Sequence, residues 1–184
     1  MVGVRNGVSP STRGTVAGTV LTLSSVTRGA FNASANKPAT FDNEPGADKR
    51  VVAGDFLMCR GNGNLGLVGV GVAVHESDSG LVFPDTVIAT AVDHSKVRLH
   101  YLEAAWSQPQ TRQQIARVAR TTNGTYKVNQ QTLARVRIPL PVLAEQDEFV
   151  SRVEAARAVR RTAEAEQLDE LFASLQSRAF AGQL

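Results

Sequence analysis

Arg60-Gly61-Asn62-Gly63-Asn64-Leu65-Gly66 gathers more chemistry-bearing residue types than any other short stretch of this chain. Its glycines match G-x-G-x-x-G, which cradles a pyrophosphate when a strand precedes it and a helix follows within a βαβ unit. A strand-like run precedes the motif, but Leu67-Val68-Gly69-Val70-Gly71-Val72-Ala73-Val74 follows it. Glycines alternating with β-branched residues suit a strand better than a helix. The spacing therefore predicts a Gly/Asn turn between strands instead of a nucleotide site. At such a tip Arg60, Asn62 and Asn64 offer side chains of the types that pair with guanine and adenine edges or with phosphate.

A second cluster comprises Arg112, Arg117, Arg120 and Lys127, with Thr121, Thr122, Asn123 and Thr125 interleaved. Cations mixed with neutral hydrogen-bonding groups are what phosphate contacts use, and a solvated helix face is the plain alternative for any one of them. Known catalytic patterns are missing from the sequence: no serine stands in G-x-S-x-G and there is no H-E-x-x-H. Asp93 beside His94, or Glu103 near His100, is the nearest approach to an acid/base pair. Cys59 is the lone cysteine, and the three histidines lack ligand spacing, so neither an internal disulfide, a thiolate zinc cluster nor a cofactor is expected.

Two regions of opposite charge must carry these groups. Residues 1–140 hold 15 Lys and Arg against 9 Asp and Glu, whereas residues 141–184 hold 5 against 8. A basic domain followed by an acidic stalk fits a nucleic-acid reader joined to a protein-binding element. The longest apolar stretch, 65–74, is diluted by glycine and too short to span a bilayer. With no signal-peptide core at the start, a soluble cytoplasmic protein without membrane contact is expected.

Within residues 1–140, β-type runs at Thr19–Val26, Arg50–Arg60, Leu65–Val74 and Leu81–Val92 alternate with turn-forming clusters. Leu99, Leu102, Ala105, Trp106, Ile115 and Val118 then follow helical spacing, interrupted near Pro109. Asn123-Gly124 marks a turn, and Arg135-Val136-Arg137-Ile138 alternates like a last strand. The expected fold is α+β: a curved, mostly antiparallel sheet with packed helices, followed by one long C-terminal coiled-coil helix.

That helix is announced by the absence of Gly and Pro from Val142 to Ala181, bracketed by Pro141 and Gly182. Glu145, Asp147 and Glu148 place negative charge at the positive end of its dipole. Phe149, Val153, Ala156 and Ala163 lie on one heptad seam, which then shifts by one residue to Leu168, Leu171 and Leu175. A helix this long needs a partner helix along most of its length, and these seven residues are the expected interface.

The order of features resembles the DNA specificity subunit of type I restriction-modification systems. The resemblance is carried by Gly54-Asp55-Phe56-Leu57-Met58-Cys59-Arg60 leading into Gly61-Asn62, and by the Thr121–Asn129 segment. Its most specific parts are Ile138-Pro139-Leu140-Pro141 with Glu145-Gln146, and the ending Arg178-Ala179-Phe180-Ala181-Gly182-Gln183-Leu184. It implies a noncatalytic target-recognition domain that reads half of a bipartite site in double-stranded DNA. It also implies two kinds of partner, an adenine methyltransferase (modification) subunit and a restriction endonuclease subunit. Family members usually carry two recognition domains and two long helices, where this chain has one of each. A half-length subunit acting as a homodimer is therefore expected. The competing reading is a coiled-coil adaptor whose basic domain binds a protein partner.

Overall fold

The computed structural model describes residues 2–76, 80–122 and 124–180, without the side chains of residues 2, 122, 161–166 and 168–180. The chain divides into two compact units, Met1–Leu143 and Ala144–Leu184. Unit 1 is α+β, with three small sheets among the described residues.

The central sheet has the order β1 (Val2–Asn6), β8 (Val87–Ala91), β4 (Asp55–Cys59), β6 (Gly71–Ala73), all antiparallel. Every residue of β4 is buried, so its two faces meet two different layers. Leu57 pairs with Val72 and Ala89, and with Cys59 these face a core that includes Leu21, Val26, Leu81 and Phe83. One residue out of phase, Phe56 and Met58 point to the opposite face, where the Phe56 ring meets Trp106 edge-on at 5.6 Å. Two helices supply that outer layer, α2 (Leu99–Ser107) and α3 (Pro109–Val118), broken at Pro109 as the spacing predicted.

The second sheet has the order β3 (Asn36–Phe41), β2 (Val16–Leu21), β7 (Leu81–Val82), with β2 and β7 parallel. Strand β3 was not expected because Pro38 interrupts it, yet as an edge strand it tolerates the missing donor. The third sheet joins β5 (Gly61–Asn62), β10 (Thr125–Lys127) and β9 (Arg120–Thr122) in that order. One expected sheet is thus three, with a single parallel pair among the described strands.

Several sequence expectations are corrected. Thr19–Val26 is strand only to Leu21, and Ser24–Thr27 forms the short helix α1. In the Leu65–Val74 run only Gly71–Ala73 is strand; Leu65–Leu67 is a 3-10 turn because the Asn64 side chain caps it. Leu81–Val92 is split into β7 and β8 around Pro84. Arg135–Ile138 forms no strand. There the Gln114 side chain acts as its ladder partner, with Oε1 accepting from Arg137 N and Nε2 donating to Arg137 O, both at 2.9 Å. Before it, α4 (Gln130–Leu133) is held by a capping box between Asn129 and Thr132.

Unit 2 is the single helix α5 (Leu143–Phe180), 38 residues long. At 1.5 Å per residue it extends about 57 Å. Among the described residues, no helix is long and apolar enough to cross a membrane.

Candidate nucleic-acid interface

The Arg60–Gly66 tip grows directly from the buried central strand. Gly69 N donates to Cys59 O at 2.7 Å and Cys59 N to Val70 O at 2.9 Å, closing the segment after the tip back onto β4. Gly69 has φ +65°, and a Cβ there would stand 2.6 Å from Ile115 Cγ2 of α3. Only glycine meets both conditions. The Trp106 indole N–H then binds Gly69 O at 2.8 Å.

Arg112 completes this foundation, and its placement differs from the expected phosphate-facing cluster. Its Nη2 donates to Val68 O at 2.6 Å and Gly66 O at 3.1 Å. Burial draws its pKa below the usual arginine value, with Cys59 acting in the opposite sense. Nη1 is buried without a hydrogen-bond partner among the described residues. Arg112 therefore pins the turn beneath the tip, because the carbonyls of a 3-10 turn needed a donor that the sequence pattern did not reveal.

Above this foundation the tip shapes itself. Asn62 Oδ1 accepts from Asn64 N, and Asn64 Oδ1 accepts from Gly66 N, each at 2.9 Å. These are two successive Asx turns. Residues 63, 64 and 66 are exposed. Arg60 is tied by its main chain to Thr86 and Val128 and by Nη1 to Asp85 O at 3.2 Å.

The third sheet sets this tip beside the second basic cluster. Tyr126 pairs with both Asn62 and Thr121, and Lys127 pairs with both Gly61 and Arg120. Since faces alternate along a strand, Asn62, Tyr126 and Thr121 share one face, and Lys127 and Arg120 share the other. Arg120, Thr121 and Lys127 are exposed, as is Arg117 in the last turn of α3. Among the described residues none of these three cations has a carboxylate partner. Two like charges directly opposite in a sheet destabilise it, and Arg120 and Lys127 stand in that relation. Tyr126 was absent from the expected site, although the alternation of Thr125-Tyr126-Lys127 after Asn-Gly would have placed it. Asn123 lies outside the described residues. Gly124 beside it has φ +74°, the conformation a two-residue hairpin turn demands.

The possible acid/base pairs are not assembled. Asp93 accepts hydrogen bonds from Ser95 Oγ and N and pairs with Lys96, which holds its pKa down at about 2. His100 stacks on His75 with ring centres 4.1 Å apart, and Glu103 accepts from Ala73 N.

Of the expected helix seam, Phe149 is 38% exposed, Val153 is half-buried and Ala156 is exposed. The side chains of Ala163, Leu168, Leu171 and Leu175 lie outside the described residues.

No protein-family model matches the chain. Among solved structures it is similar to the S subunit of a type I restriction-modification system from M. genitalium, with 11% identity and a TM-score of 0.48 over 83% of this chain and 36% of that one. It is 28% identical over 190 residues to the type I restriction enzyme EcoKI specificity subunit of Escherichia coli (strain K12), a match covering 98% of this chain and 40% of that protein. That match runs along nearly the whole of this chain, which spans about two fifths of the length of its curated relative.

Proposed function

We propose that this chain is a sequence-specific DNA-recognition subunit that reads one half of a bipartite duplex target and performs no catalysis itself. The observation that carries the reading is the exposed set Arg117, Arg120 and Lys127, unpaired with carboxylates among the described residues and adjoining the tip at Arg60–Gly66. Phosphates relieve the repulsion between Arg120 and Lys127, and groove-edge atoms satisfy the tip's remaining donors. An adenine methyltransferase subunit would supply the methyl-transfer chemistry and a restriction endonuclease subunit the cleavage. In this reading α5 pairs with a second copy through Phe149, Val153, Ala156, Ala163, Leu168, Leu171 and Leu175. In this reading the protein works in the cytoplasm.

Salt dependence of binding to duplex DNA tests the reading. Neutralisation of about 5–8 phosphates gives log K against log salt a slope of about −5 to −7. Affinity that hardly changes between about 50 and 200 mM salt would mean that the basic face serves a protein partner instead.

A further inference from the structure

Asparagine is commonly an adenine reader because Oδ1 accepts from N6 while Nδ2 donates to N7. At this tip one of the two lone pairs of each Oδ1 is already engaged. The partners of Asn62 Oδ1 and Asn64 Oδ1 are the backbone N–H groups of Asn64 and Gly66, which can only donate. The amide atom facing each of them must therefore be the oxygen, and exchanging O and N would set two donors against each other. Each amide plane is fixed along the loop by that bond. For a ligand each Oδ1 keeps one lone pair, while both N–H bonds of each Nδ2 are uncommitted among the described residues. Arg60 adds only donors, because a guanidinium has no acceptor and one of its nitrogens is already held by Asp85 O.

The tip is thus richer in free donors than in free acceptors. In the major groove, guanine shows acceptors at N7 and O6 and thymine shows one at O4. Adenine has N7 as its one acceptor beside the N6 donor, and cytosine shows the N4 donor, so each sets a donor against this tip where guanine offers two acceptors. Resting on the DNA-recognition reading above, we propose that Asn62 and Asn64 favour keto bases, guanine or thymine, over adenine and cytosine at the positions they face.

Asn62→Asp and Asn64→Asp isolate the effect. A carboxylate oxygen accepts the same backbone N–H, so the Asx turn survives, while the outward donor becomes an acceptor. The added negative charge weakens binding to every sequence, so the enriched base profile is the quantity to read. The full chain and each variant would be used to select from duplexes containing a randomised stretch, with thermal melting as a control for folding. The expected result is a keto-base preference of about tenfold that each variant loses at one position, with the other positions kept. A profile unchanged in both variants overturns the proposal, as does release of a position that had favoured adenine or cytosine. If a variant fails to melt cooperatively, the unaltered chain decides. Replacing selected guanines by 7-deazaguanine, or by 2-aminopurine, which lacks O6, should then weaken binding about fivefold, and undiminished binding to both overturns the proposal. Selection of no sequence at all by the unaltered chain overturns the DNA-recognition reading, and this inference falls with it.

Discussion

Arg112 and Arg120 carry the same guanidinium to different ends, and the difference is measurable. Arg112 spends its donors on Val68 O and Gly66 O inside the protein, whereas Arg120 is exposed opposite Lys127. Arg112→Ala should lower unfolding stability by about 2 kcal/mol, the net worth of charge-assisted bonds to a partly buried turn. Arg120→Ala should leave the melting temperature within error and reduce the salt slope of DNA binding by about 1. Equal effects of both variants on the salt slope would show that Arg112 faces phosphate after all. Cys59 gives a second residue-scale expectation. Burial pushes its thiol up to about 11, although a bond to Gly61 O opposes the shift. A thiol reagent at pH 8 therefore finds almost no thiolate in the folded chain and should react only on unfolding. Because the folded state holds this proton more tightly, its contribution to stability is intact below pH 9 and is lost as pH rises through about 11. Prompt labelling of the native chain at pH 8 would contradict this burial.

At the scale of elements, the tip and the hairpin each turn on a glycine at positive φ, with unequal surroundings. Gly69→Ala meets an unfavourable φ and the Ile115 methyl at 2.6 Å, so a loss of about 3 kcal/mol is expected. Gly124→Ala meets only the backbone cost of about 1 kcal/mol, since nothing lies within 4 Å of its Cβ position. Urea midpoints with unchanged slope should rank the two in that order. The sequence made the helices α2 and α3 legible, because Leu102, Ala105, Trp106 and Ile115 repeat at helical spacing and Pro109 breaks the run. It also made the turn at Gly124 legible, because a left-handed position selects its residue type locally. The 3-10 turn at Leu65–Leu67 and the unpaired run at Arg135–Ile138 were not legible. Their backbone groups are satisfied by side chains from distant positions, Arg112 in one case and Gln114 in the other. Composition signals a β-prone run but does not say which donors will reach it. The same blindness hid the bonds of Arg112 to Val68 O and Gly66 O.

At the scale of the whole molecule, a basic unit precedes a helix of 38 residues that carries net negative charge, and the proposed dimer uses that helix as a spacer. Val159 is 71% exposed, and with Ala156 also exposed the helix presents apolar surface along its described length. Within the helix, Glu148 and Arg152 form an i,i+4 pair at 2.6 Å, which supports the helix locally without providing a core. Antiparallel pairing with a second copy would cover the seam and set two recognition units at opposite ends, whereas parallel pairing would crowd them together. A spacer of about 57 Å corresponds to roughly 17 base pairs at 3.4 Å each, an upper bound on half-site separation. The dimer should then prefer an inverted repeat with an unread gap. Inserting four residues between Arg160 and Arg161 lengthens each helix by about 6 Å, so the preferred gap should grow by about one or two base pairs. Because four residues exceed one turn by a fraction, the insertion also rotates the distal seam by about 40°. A control insertion of seven residues keeps the heptad phase and should widen the gap by about three base pairs, with less loss of dimer stability. Light scattering reads the oligomeric state, and selection from inverted repeats of graded spacing reads the gap. A monomer at micromolar concentration, or a gap indifferent to both insertions, would mean that α5 serves a contact other than the spacing of two DNA readers.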